Sequence, residues 1–242
     1  MFQSDFVIIF LLLAAGAIVS YVKAKLTAIG AVAGFMVSII IFTGTKLTGL
    51  SLMAIFFLLA NFATAFNKKK KQLLQLEEAN AGRRNASQVL ANAGVAAFVA
   101  LIAIVSEMFH QSVPVALLLV AAAFSSATAD TLSSEMGNIY GRNFYNILTF
   151  KKDTRGLDGV ISLEGSLCGL LGSIIIAGVY FAASLNTTHA VIIVIAGTIG
   201  NLADSVIGAS LERKQLMGNN MVNFLNTLIG AGAAFLLYWL FK

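Results

Sequence analysis

Charge is scarce in this chain: Asp, Glu, Lys and Arg make up only 11% of its 242 residues, against roughly 25% in ordinary soluble domains. Hydrophobic residues reach 58% and mean hydropathy is +0.87, a surplus that lipid can cover and a soluble core cannot. The single proline leaves long helices uninterrupted. Cys168, the only cysteine, lies inside an apolar run, which excludes an intrachain disulfide and makes it a packing residue. The two histidines, His110 and His189, fall at helix ends away from the other polar residues and read as interfacial. No GxxxxGK[ST] loop, dinucleotide fingerprint or His/Cys metal spacing occurs, and nothing resembles a nucleophile–base pair. The start, MFQSDF, lacks the basic region of a signal peptide and reads as the beginning of a retained first helix.

What is present is a series of apolar runs near 6–22, 26–43, 49–66, 89–109, 113–131, 161–183, 189–208 and 221–241, each close to the ~20 residues a membrane crossing requires. The expected fold is an all-α polytopic integral membrane helix bundle of about eight transmembrane helices. It divides into an N-terminal three-helix region (1–66), a basic cytoplasmic loop (67–88) and a five-helix catalytic region (89–242). Fourteen of the sixteen basic residues fall in alternate loops: Lys23 and Lys25; Lys68 to Lys71 with Arg83 and Arg84; Arg142, Lys151, Lys152 and Arg155; Arg213 and Lys214. The positive-inside rule makes those loops cytoplasmic and both termini external, in a cell inner membrane. The net charge of +5 thus reflects orientation and gives no sign of nucleic acid. Lys68 to Lys71 read as a topology anchor on anionic lipid.

Four polar motifs break the apolar pattern. In RRNASQVLANAG (83–94) two arginines precede Asn85, Gln88 and Asn92 on one helical face; the planar guanidinium fork and a helix N-terminus both suit phosphate. ATADTLSSEMG (127–137) carries Asp130 and Glu135 near the interface, where ionisable groups are costly and mark function. These two are five residues apart, so both serve one site only if the helix ends or unwinds there, which Gly137 permits. RGLDGVISLEGSLCGLLGS (155–173) contributes Asp158 and Glu164; Gly156 and Gly159 offer bare backbone to a phosphate, while Gly165 and Gly169 form a GxxxG packing pair. GNLADSVIGASLERK (200–214) sets Asn201, Asp204 with Ser205, Gly208 and Glu212 along one stripe, and Asn220, Asn223 and Thr227 open the last helix. Carboxylates and amides are the hard oxygen donors that suit Mg²⁺ or Mn²⁺. ADTLSSE and ADSVIGA are weakly alike, which would bring Asp130 and Asp204 to equivalent depths.

Taken in this order and spacing, the four strings resemble the phytyl-phosphate kinase family, also known as the transmembrane protein 19-like family, related to CTP-dependent phytol and dolichol kinases. The resemblance covers roughly residues 80–230; before that only hydrophobicity and length agree. Asn85 departs from a pattern like RRDAGQVLAN, and Glu164 occupies a position more often apolar, so no acidic role is carried to position 85. The resemblance implies an isoprenyl-phosphate kinase that transfers the γ-phosphoryl group of CTP or another triphosphate to phytyl, geranylgeranyl or farnesyl phosphate, with Mg²⁺ as cofactor.

The expected metal-binding and catalytic residues are Asp130, Glu135, Asp158 and Asp204. Phosphate and nucleotide contacts are expected from Arg83, Arg84, Asn85, Gln88, Asn92, Lys152, Arg155, Asn201, Ser205, Asn220 and Asn223. The alternatives are a membrane cytidylyltransferase, because 200–214 faintly resembles the phosphatidate cytidylyltransferase signature, and a transporter or scramblase of lipid phosphates. Prenyl chain length, oligomeric state and the role of the first three helices are not read from the sequence.

Overall fold

A computed structural model describes residues 2–74, 82–111, 113 and 115–242, the first four of these in backbone only. The α-helices are α1 (Phe2–Val22), α2 (Ala28–Ala65), α3 (Lys68–Leu73), α4 (Ala86–Met108), α5 (Ala116–Tyr140), α6 (Leu163–Ser184), α7 (Thr187–Ile207) and α8 (Asn219–Leu240). A π-helical turn, Gly208–Glu212, prolongs α7, and a two-stranded antiparallel ribbon, Tyr145–Asn146 with Val160–Ile161, lies between α5 and α6.

The 38-residue α2 is two crossings. Lys46 has φ 57° and ψ −155°, outside the helical region. Ala31 and Phe57, which would stand about 39 Å apart on a straight helix, line the same cavity, so the halves 28–45 and 47–65 fold back on each other. With α1 and the five long helices α4 to α8, the expected eight crossings are recovered. Large apolar side chains such as Leu12, Phe98, Leu171 and Leu236 point outward, as a lipid-facing surface requires.

The four basic connections meet at one end of the bundle. Arg84 N donates to Lys25 O (3.0 Å) and Thr27 N donates to Arg84 O (3.0 Å). Lys70 Nζ donates to Ile139 O (2.6 Å), and Arg213 bridges to Asp153 (2.8 Å) and Asp158 O (2.5 Å). At the opposite end the Tyr180 hydroxyl pairs with His189 Nδ1 (2.7 Å) beside the Tyr238 ring, where the sequence puts the histidines.

At the centre, α5 packs against α2, α4, α6, α7 and α8. Its run AAAFSSATA allows that: Ala121, Ala122, Ala123, Ser125, Ser126 and Ala127 are fully buried, and small side chains let helix backbones approach closely. Gly165 and Gly169 do the same from α6, since a Cβ on them would stand 2.7 Å from Ser133 O and 2.9 Å from Ala129 O. The Val37, Ile41, Leu52 and Phe56 side chains of α2 share one core with these helices.

The structure corrects several expectations. α5 runs to Tyr140, not to about 131, and does not unwind at Gly137. In its polar stretch the Thr131 and Ser134 hydroxyls are satisfied within the helix, by Ala127 O and Thr131 O. Gly137 instead admits α6, whose Gly165 Cα lies 3.1 Å from where its Cβ would be. The Lys68 to Lys71 run is not a plain lipid anchor. Lys71 is buried, donates to Ala63 O (2.7 Å) and Thr64 O (3.1 Å) at the C-terminal end of α2, and forms an ion pair with Glu135. Of the expected loop 67–88, residues 75–81 lie outside the described residues.

Candidate functional site

A cavity of about 210 Å³ opens at the basic end of the bundle. α5 contributes Asp130, Thr131 and Ser134; α7 and its π-helical turn contribute Asp204, Ser205 and Glu212; α8 contributes Asn219 and Asn223. Arg84, Gln88 and Asn92 line one side, and the loop 156–162 with Asp158 closes another. Four motifs separated in sequence therefore converge.

Asp130 and Asp204 form the heart of the site, with carboxyl groups close enough to share a hydrogen bond. Asn226, 1% exposed, donates to Asp204 Oδ1 (3.3 Å) and takes a hydrogen bond from the Ser126 hydroxyl. A rigid helix core thus fixes the orientation of Asp204. Asp158 and Glu212 complete an acidic wall. So many like charges in a small site at the membrane boundary call for a proton or a cation.

The all-oxygen donor set fits a hard divalent cation such as Mg²⁺. Among the described residues no three His, Cys, Asp or Glu side chains converge on one point. Two adjacent carboxylates, Asp130 and Asp204, are the part of this donor set that would suit such an ion, the rest of whose shell would have to come from outside the protein. Glu135 lines the cavity, but its carboxylate is engaged by Lys71.

Several expected phosphate contacts have other roles. Asn85 caps α4: its side chain accepts from Gln88 N (3.0 Å), and the Gln88 side chain accepts from Asn85 N (3.0 Å), a reciprocal capping box. Arg83 does not line the cavity; its Nε is buried without a partner. Arg155 stacks on Phe144 (4.6 Å) and donates to Gly141 O (2.9 Å). Lys152 forms a backbone bridge with Tyr145 and is exposed. Asn201 is buried against Gly169, and Asn220 donates to Ser87 (3.0 Å). Arg84, Gln88, Asn92, Ser205 and Asn223 do line the cavity.

The loop over the site is clamped to α7. Arg213 holds Asp153 and the Asp158 carbonyl. The Thr154 N–H and Arg213 hold the half-buried Asp153 carboxyl below its ordinary pKa, so this clamp persists at neutral pH and loosens as pH falls through that lowered value. Gly156 and Gly159 were candidates for a phosphate approach; Gly159 instead approaches protein. Its φ is +69°, and a Cβ would lie 2.4 Å from both Ala209 N and Ser205 O. Gly159→Ala is accordingly expected to cost about 2–4 kcal/mol. A fall in the thermal unfolding midpoint in detergent checks this against Gly178→Ala, where an added Cβ meets nothing within 4 Å.

Sequence reasoning left Thr131, Ser134 and Asn219 out of the site, and with them Glu212, Asn226 and Lys71. Glu212 stands eight residues after Asp204 and on its stripe, so its signal was present. Asn226 has none beyond a place three residues after Asn223. The burial of Lys71 is invisible in a run of four lysines.

A family model described as "Integral membrane protein DUF92" matches residues 11–231. "Protein VTE6, chloroplastic" of Arabidopsis thaliana is 32% identical over 219 residues, covering 88% of this chain and 65% of its own length. This chain thus spans a little under two thirds of that relative. An uncharacterised membrane protein of Synechocystis sp. is 30% identical, covering 88% of this chain and 82% of its own. Another from Methanocaldococcus jannaschii is 33% identical, covering 78% and 76%. No solved structure matches significantly.

Proposed function

We propose that this chain, which belongs to the integral membrane protein family DUF92, is an isoprenyl-phosphate kinase using CTP or another nucleoside triphosphate. The observation that carries the reading is the Asp130–Asp204 pair, set in a cavity with Arg84, Gln88 and Asn92 at the membrane boundary. The family resemblance of the motifs that converge there selects the substrate class.

A prenyl monophosphate is already an anion, so it attacks without a strong general base. An acceptor phosphate oxygen forms the new P–O bond to the γ-phosphorus. The bond between that phosphorus and the bridging β–γ oxygen breaks, and its electron pair leaves on the nucleoside diphosphate. Bound Mg²⁺, held by Asp130 and Asp204, would neutralise the phosphate charge. Arg84 and the amides of Gln88, Asn92 and Asn223 would hold phosphate oxygens, and Asn226 would keep Asp204 oriented. The positive-inside bias of the converging loops supports a cytoplasmic cavity, where a soluble triphosphate is available.

The test is a panel of prenyl monophosphates against four triphosphates with Mg²⁺ and purified protein in lipid. A prenyl diphosphate is the expected product; no product from any pair would sink the reading.

A further inference from the structure

We infer that the apolar groove enclosed by α1, both halves of α2 and the start of α4 holds the hydrocarbon chain of the phosphorylated lipid, with Gly16 and Gly34 keeping it open. The ligand class rests on the kinase reading; the groove itself rests on its own geometry.

The groove encloses about 220 Å³ between Leu12 and Gly16 of α1 and Gly34, Phe35, Met53 and Phe57 of α2. Its walls are apolar apart from Ser20 and Ser38, whose hydroxyls bond to Gly16 O and Phe35 O, and from Arg84, Gln88 and Asn92 at the α4 side. The same three residues line the acidic cavity. Gln88 and Asn92 lie one turn apart on one face of α4, and Arg84 stands just before the helix in extended backbone, so the three form a shared wall. One cation and two amides thus separate a carboxylate site from an apolar slot. An anionic head on a single apolar chain complements that arrangement, with its phosphate at Arg84 and its chain running between α1 and α2 toward Leu12.

The glycines support an occupied groove. A Cβ on Gly16 would meet nothing within 4 Å, and one on Gly34 would meet only Leu26 Cδ1, at 3.7 Å. Gly30, one turn earlier, is a packing glycine, since its Cβ would stand 2.6 Å from Arg84 O. Gly16 and Gly34 give up helix stability without closer protein contact in return. What they leave is room.

The experiment uses the full chain in nanodiscs with a prenyl phosphate bearing a photoreactive diazirine at the far end of its chain, and adducts are mapped by mass spectrometry. Adducts on the groove residues of α1 and α2, competed by geranylgeranyl phosphate and not by phosphatidylglycerol, are expected. Adducts elsewhere, or equal competition by the phospholipid, would overturn the inference, the second outcome marking a slot for ordinary bilayer lipid. Gly34→Leu, and separately Gly16→Leu, should shift the ratio of KM values for geranylgeranyl and dimethylallyl phosphate by roughly tenfold against the longer chain, because a leucine displaces several methylenes of ligand. An unchanged ratio in both folded variants overturns it. Groove adducts in wild-type protein that transfers no phosphate would retain the groove and reject the kinase. Turnover with adducts elsewhere would do the reverse.

Discussion

Replacing Asp130 or Asp204 by Asn is expected to lower turnover by roughly a thousandfold, about 4 kcal/mol of transition-state stabilisation, with the fold intact. The isostere keeps the shape of each side chain, and an amide oxygen at position 204 can still accept the hydrogen bond from Asn226. It removes the charge that, on the proposed function, would hold a divalent cation beside the phosphates. Removing one of two adjacent carboxylates also relieves like-charge repulsion, so the thermal midpoint should hold or rise. Steady-state kinetics with thermal unfolding of each variant checks both halves. Wild-type turnover in both variants would remove the metal-site proposal.

The second large effect is structural. Lys71, 3% exposed, is the donor for two carbonyls ending α2 and the ion-pair partner of Glu135. Lys71→Met leaves the Glu135 carboxylate at the cavity wall without its ion-pair partner, at an expected cost of about 1–3 kcal/mol. Glu135→Leu strands the ammonium, although the two carbonyls still receive it. The double variant should recover much of the loss, because replacing a buried pair by apolar groups is often close to neutral. Unfolding midpoints of the four proteins form the cycle. Additive losses would show that the pair is not coupled.

The parts of the fold carried by composition and charge were legible in the sequence. Eight apolar runs and alternating basic loops identify the crossings, and the basic loops do meet at one end. The carboxylates were legible because an acidic residue near lipid needs a reason, and Asp130, Asp158 and Asp204 all reach one cavity. What one-dimensional pattern could not give was partner choice. Asn85 looks like a phosphate contact, yet it caps a helix whose first N–H groups need acceptors. A GLDG turn looks like a phosphate cradle, yet Gly159 is pressed against the end of α7. Lys71 looks like one of four solvated lysines until α2 is seen to end beside it, with its last carbonyls within reach of the ammonium. The first three helices showed only hydrophobicity, because a groove between helices leaves no periodic mark; only the glycines at 16 and 34 record it.

The central claim is transfer of a γ-phosphoryl group to a lipid phosphate, and the most direct measurement follows the label. Purified protein in nanodiscs with Mg²⁺ and geranylgeranyl phosphate would receive CTP labelled at either the γ- or the α-phosphorus. Label passing to a lipid diphosphate from γ-labelled CTP, and none reaching lipid from α-labelled CTP, is the predicted result. α-Label in a CDP-lipid with release of pyrophosphate would contradict it and identify a cytidylyltransferase instead.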